Sequence, residues 1–526
     1  MTHSKISISN LRSNTPDVEV DVRTFLESDD TCMMDHTYEM LYFNEDILAV
    51  HVAHPDGSSF VIFIRTEASL NDSERTLGCM AIGPTDARLF VRHTAQHVCF
   101  GTHNGRGIDG HRKWIIQTYK MDAVGVSINH DSEEVKGIVL QDFHGNDIGS
   151  TVAFEIHDGS FYAVSNQGTY EVEEIDWTSF YHCVRIPLDN PVEEAVQRNK
   201  RLYRRQHADG PIHDSWTDLV LQSSEKTNDL HIVESRREWV ESTSKHARTF
   251  YTSRIKFNTA TSKRKERDDG CFDDDQVTPF PLPENDPLTS ALASSHRANF
   301  MHTPKQYSWT RHSESLHMSC KGLTPRSFIL ARTKFRAYNL SCSAFVDLVE
   351  DANCCPERLP TDLPCLRLRI GGRRIAPKPD HLSDYEDAES SRNDNHVSHN
   401  FKSDRAHFQD NTQYRYTPIR MWPSMRTDCP CSQRIHSIMN PETRSDLGIG
   451  SDKKTITAVC DERSLVYMVK PSRSYQDRNA NSEGRVGTIV LVDFGRPSTP
   501  ASDASRNGEW RSQWASDQLR CREGTC

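Results

Sequence analysis

The chain has 526 residues, 36% of them hydrophobic, with 63 basic and 74 acidic side chains and a formal net charge of −11; its mean hydropathy is −0.68. A net acidic chain offers no overall basic field for nucleic acid, and no apolar run approaches the ~20 residues of a helical membrane span. The start, MTHSKISISN, lacks the apolar stretch of a secretory signal, and 15 Cys at irregular spacing fit reduced thiols. A cytoplasmic or nuclear protein with polar insertions in a folded core is expected.

Residues 1–35 are polar and are expected to form a flexible segment. Strand signals follow at 39–43, 47–53 and 59–65, with Pro55-Asp56-Gly57 as the turn between the last two. Segments 88–92, 97–102, 113–119 and 139–143 continue the theme. The richest stretch is 150–188. There Val152, Phe154 and Ile156 alternate with polar neighbours, and His157-Asp158-Gly159-Ser160 supplies a turn. Strands are then expected at 161–165, 170–172 and 180–186. Four short antiparallel strands make one blade of a β-propeller.

A helix is expected after Asp189-Asn190-Pro191. Val192, Val196, Asn199 and Tyr203 trace one face, and Arg198, Lys200, Arg201, Arg204 and Arg205 fill the solvated remainder. Strands resume at 219–222, 230–235 and 248–255. Residues 258–321 read as a polar insertion containing Lys263-Arg264-Lys265-Glu266-Arg267, either a nuclear-import signal or an ordinary solvated charge run. A second block of strands at 327–334, 336–339, 344–349 and 366–370 precedes another polar insertion, 377–411. That insertion holds an acidic, serine-bearing segment suited to phosphorylation. Strands at 464–469 and 488–494 come last, and 497–526 is a polar tail. In a closed ring the final strands meet early ones, so 487–494 is expected near the first sheet. The fold class is therefore all-β, a propeller-like array over 36–496.

Few motifs carry chemistry. Gly105-Arg106-Gly107-Ile108-Asp109-Gly110 spells GxGxxG, but a strand pattern follows where a dinucleotide site needs a helix, so a hairpin loop is expected. The stretch 448–455 lacks the Gly that a phosphate loop has before its Lys. Cys429-Pro430-Cys431 with His436, and Cys354-Cys355 upstream, have the ligand types of a zinc site. Only one close pair is spaced, so reduced thiols are expected, with no metal or cofactor. His93, His97, His103 and His111 lie close in sequence, with Asp109 placed to orient a base, yet no GxSxG or HExxH accompanies them. Trp114, Trp177, Trp216 and Trp239 sit beside strand signals, either packing between sheets or lining a binding surface.

Several stretches carry a resemblance: HDGSFYAVSN…YEVEEIDWTSFYHCVRIPLDNP, VCFGTHNGRGIDGHRKW, GPIHDSWTDLVLQSSEKTNDLHIVESRREW and DERSLVYMVKP. Over roughly 43–494, insertions aside, the chain resembles the region that follows the F-box in F-box proteins of filamentous fungi. Residues 1–35 show no Leu-rich F-box pattern. The resemblance implies a substrate receptor for a cullin-type ubiquitin ligase, which performs no bond chemistry and presents a protein partner or degradation substrate on loops of a rigid ring. The candidate contacts are the loop 101–114 with Arg112 and Trp114, and the connection 173–181 with Trp177. The alternative is a propeller enzyme, a hydrolase or lyase with titratable groups converging on the channel axis.

Overall fold

Runs such as Ser59–Arg65 (SFVIFIR) and Ser160–Ser165 (SFYAVS) are apolar on both faces, and such strands are stable only where sheets cover them on both sides. In the computed structural model they are the central strands of six radially stacked sheets, a six-bladed β-propeller. The structure describes residues 5–10, 18–21, 37–53, 57–66, 76–82, 88–121, 137–167, 178–206, 217–225, 227–239, 246–257, 310–313, 332–355, 364–375, 414–416, 419–441, 454–471 and 488–494.

Strands β1 (Lys5–Asn10) and β2 (Val18–Asp21) come first in the chain but belong to the last sheet. Blade 1 is the meander β3 (Thr37–Asn44), β4 (Ile47–Ala53), β5 (Ser59–Arg65), β6 (Thr76–Ala81). Blade 2 is β7 (Leu89–His93), β8 (His97–Arg106), β9 (Arg112–Lys120), β10 (Ile138–Val139). Blade 3 is β11 (Val152–His157), β12 (Ser160–Ser165), β13 (Thr178–Pro187), β14 (Gln197–Gln206). Blade 4 is β15 (Asp218–Ser223), β16 (Leu230–Trp239), β17 (His246–Arg254), β18 (Thr310–Ser313). Blade 5 is β19 (Arg332–Asn339), β20 (Ala344–Asp351), β21 (Cys365–Ile375) and β22 (Tyr414–Tyr416), with β23 (Arg420–Trp422) also on β21. Then comes the one α-helix among the described residues, α1 (Pro430–Met439). Blade 6 is β24 (Lys454–Cys460), β25 (Ser464–Pro471), β26 (Thr488–Asp493).

Closure is made by β1, which pairs in parallel with β26 (Ile8 beside Ile489) and antiparallel with β2. The segment expected to be flexible, 1–35, thus contains two strands of the closing sheet. The expectation that 487–494 lies near the first sheet has a specific form. Ile489 and Leu491 pack with Tyr38, Met40, Val50 and Ile62 of blade 1, while the hydrogen bonds of β26 go to β25 and β1.

Two other expectations are corrected. Residues 197–206 form a strand, β14, after a 3-10 turn at Glu193–Ala195, and not a helix. β13 offers them a backbone ladder from Thr178 to Arg185, interrupted by two register shifts, and Leu202 packs on the cluster that holds Tyr181 and Cys183 of its own blade. The polar insertion 258–321 supplies β18, the outermost strand of blade 4. The expected strand at 170–172, the insertion 377–411, the tail 497–526 and the basic run 263–267 lie outside the described residues.

Each blade interface has its own apolar cluster. The largest joins blades 2 and 3 through stacked Phe90 and Phe154, 3.8 Å between centroids, with Trp114 and Phe161 beside them. The smallest joins blades 4 and 5 through Val233, Phe250, Tyr338, Phe345 and Ile419. Buried charge supplements it there. Asp347 accepts hydrogen bonds from Arg248 of blade 4 at 3.0 and 2.8 Å and from Arg369 of its own blade at 2.6 Å.

Candidate functional site

Each blade begins at its inner strand, so the six inner strands run in the same sense and their ends converge around the axis. At their carboxyl ends the ring is bridged. The Tyr42 hydroxyl of blade 1 donates to Glu155 Oε1 of blade 3 at 2.6 Å, passing over blade 2. Between them Arg92 of blade 2 donates to the Phe154 carbonyl at 2.7 Å and lies 4.4 Å from the Tyr42 ring centroid. On the other half, Glu462 of blade 6 accepts from the backbone N–H of Ser223 in blade 4 at 3.2 Å and from its hydroxyl at 3.3 Å. Asn339 of blade 5 donates to the Glu462 carbonyl. Burial pushes the Glu155 carboxyl up to about 7, against the opposing pull of Arg92, and the Glu462 charge adds to the rise. Asp461, which accepts from the N–H of Arg463 at 2.7 Å, is likewise pushed up to about 7 by burial. Two pairs of blades that are not ring neighbours are therefore tied across the axis.

The opposite face carries the β8–β9 hairpin. Its tip holds the GxGxxG residues, in the hairpin loop expected from the strand pattern on either side. Gly107 N–H donates to His111 O at 2.9 Å, and Gly110, at φ +78°, donates to Gly107 O at 3.0 Å. Asp109 accepts from His111 N–H at 3.0 Å and pairs with Lys113 Nζ at 2.7 Å. Ile108 N–H donates to Gln141 Oε1 of the next connection at 2.9 Å. These bonds fix the tip while leaving the Ile108 side chain outside: it is 93% exposed, far above the next large apolar side chain among the described residues, Met425 at 46%. Arg112 is exposed at the foot of the same hairpin.

Of the two expected contact residues that are described, Arg112 and Trp114, Arg112 is on the surface. Trp114 is fully buried. Its indole N–H donates to Gly145 O at 3.0 Å and its ring packs on Phe90 and Phe154, so it is core between blades 2 and 3 and not an anchor for a partner. Trp177 lies outside the described residues. The histidines of this region do not converge. His93 is buried against Tyr42 and Phe63 at one end of β7, its pKa lowered to about 3 by burial and by Arg92. His103 lies at the other end, where its backbone N–H donates to Arg88 O at 2.9 Å. Sequence reasoning missed the exposure of Ile108 because an isolated Ile in a Gly-rich loop has no pattern. It missed the axial pairs because their members lie in different blades.

Three thiols do come together: the sulfurs of Cys354, Cys355 and Cys365 lie within 4.8 Å of one another. Cys429 and Cys431, the spaced pair of the sequence, are at the start of α1 and outside that group. No family model and no curated protein sequence matches this chain.

Proposed function

We propose that the chain is a protein-interaction scaffold without catalytic activity, and that its specific role is to recruit a degradation substrate to a cullin-type ubiquitin ligase. The observation that carries the scaffold reading is Ile108, an apolar side chain held 93% exposed on a hairpin tip whose backbone is fixed by its own hydrogen bonds. A preorganised apolar group on a hairpin that also exposes a cation, here Arg112, loses little conformational entropy on docking, which is what a contact anchor requires. The ligase role rests on the resemblance alone. Purification of the tagged chain from its own cells, with mass spectrometry of what co-purifies, tests both parts. Recovery of a cullin and its adaptor supports ligase recruitment; a reproducible partner without them retires that role and keeps the scaffold. Loss of the partner on Ile108→Asp, at unchanged thermal stability, places the contact on the hairpin.

A second reading, an enzyme with its site on the axis, is favoured by one observation: the Glu155 carboxyl near 7, beside Arg92 and Tyr42, has the character of a general acid or base. Against it, both oxygens of Glu155 face groups of the ring: Tyr42 and the Ile156 N–H on Oε1, and Arg92 at 3.9 Å from Oε2. Glu155→Gln with partner capture retained favours the scaffold.

A further inference from the structure

The hairpin β20–β21 and helix α1 meet at a group of soft ligands that the scaffold reading does not use. Cys354 and Cys355 end the turn after β20, and Cys365 opens β21 opposite Asp351. Cys355 Sγ and Cys365 Sγ are 3.5 Å apart, and all three sulfurs lie within 4.8 Å. A tetrahedral zinc ion with sulfurs at about 2.3 Å requires sulfur–sulfur edges of about 3.8 Å, so the three sulfurs already approximate one face of that tetrahedron. His436, on the second turn of α1 and 3% exposed, brings Nδ1 to 3.9 Å from Cys354 Sγ. Its other nitrogen, Nε2, is 2.9 Å from the Ser424 carbonyl. A carbonyl only accepts, so Nε2 carries a hydrogen, and Nδ1 is the nitrogen that faces the thiols. That is the second-shell arrangement that fixes the tautomer of a metal-binding histidine.

We infer that Cys354, Cys355, Cys365 and His436 form a structural Cys3His zinc site. Three thiols and one imidazole are the donor set that selects zinc over hard cations, and four protein ligands leave no open coordination position for catalysis. Binding draws Nδ1 in from the Cys354 side to the fourth corner. The sequence spacing concealed the site, because Cys365 and His436 lie far apart in the chain and the visible pair, Cys429 and Cys431, is not part of it. The backbone around the group is held independently of any ion: Arg426 N–H donates to Cys354 O at 3.2 Å, and Leu366 N–H donates to Asn440 Oδ1 at 2.6 Å.

The place of the site gives it a role. Met439 of α1 is buried among Leu465, Tyr467 and Val490 of blade 6, and the Tyr467 hydroxyl donates to Met439 O at 2.7 Å. A zinc ion bound to β20–β21 and to α1 therefore fastens blade 5 to the helix that seals it against blade 6. Metal binding of this kind adds directly to folding stability.

The test uses the full chain, purified under reducing conditions and analysed for metal by mass spectrometry, then stripped and titrated with cobalt(II). The expected result is about one zinc per chain and, on cobalt loading, the visible bands of a tetrahedral thiolate site, with a lower thermal midpoint after chelation. Cys355→Ser and Cys365→Ser each reduce bound zinc at least tenfold, whereas Cys342→Ser and Cys431→Ser retain it. If the ligand variants do not fold, the cobalt spectrum of the unaltered chain decides. A folded chain that binds no stoichiometric zinc, zinc retained by both Cys355→Ser and Cys365→Ser, or a Cys355–Cys365 disulfide in the reduced preparation overturns the site.

Discussion

Removal of Asp347 isolates what holds blades 4 and 5 together. Its carboxylate is fully buried and receives Arg248 through both terminal nitrogens and Arg369 through Nε and a terminal nitrogen. The two arginine side chains are only 7% and 11% exposed, and Arg248 lies 5.0 Å from the Phe250 and Phe345 ring centroids. Asp347→Ala leaves two guanidinium groups in a site of low dielectric with their shared counter-charge gone. Breaking a buried pair in this way costs about 3–5 kcal/mol, most of it the penalty of uncompensated charge. The triple replacement Asp347→Leu, Arg248→Met, Arg369→Met removes these three charges at similar volume and is expected within about 1 kcal/mol of the unaltered chain. Urea unfolding followed by tryptophan fluorescence reads both, as a shift in midpoint at constant slope. Since the pair is buried, added salt should leave the Asp347→Ala deficit nearly unchanged. A single replacement costing under about 1 kcal/mol, or a triple replacement as damaging as the single, refutes the argument that buried charge compensates for the small apolar cluster here.

Three more outcomes follow from the same reasoning. Glu155, raised by burial from an ordinary 4.5 to about 7, keeps its proton in the folded chain over that interval and loses it in the unfolded one, so its contribution to stability falls as pH rises from 4.5 to about 7. At about 1.4 kcal/mol per pH unit, Glu155→Gln should gain about 3 kcal/mol relative to the unaltered chain between pH 4.5 and 7.5. The difference in unfolding free energy between the two proteins cancels the opposite slope from the buried His93 and His182; a flat difference contradicts the assignment. Trp114→Ala should cost about 3–5 kcal/mol of unfolding free energy, whereas Arg112→Ala stays within about 0.5 kcal/mol and is read only by partner capture. Gly101→Ala puts a Cβ 2.3 Å from Phe90 Cε1 in the blade 2–3 core, and about 1–3 kcal/mol of overpacking should appear in its thermal melt.

The sequence by itself determined the fold class and most inner and central strands. Alternation and tight turns such as Asp158-Gly159, both at positive φ, are local properties, and a central blade strand is apolar enough to be read without its neighbours. Outer strands were decided only in the tertiary structure. Gln197–Gln206 carries five Lys and Arg residues, a composition indistinguishable from the wet side of a helix until β13 supplies the ladder. Ring closure by Lys5–Asn10 was hidden for the same kind of reason: its partner Thr488–Asp493 lies at the other end of the chain. Burial of Trp114, the crossing of Tyr42 to Glu155 and the meeting of Cys354, Cys355 and Cys365, with His436 beside Cys354, all depend on how separate segments are placed. A sequence lists donors and rings in order along one dimension, while chemistry depends on which of them the six blades bring within a few ångströms.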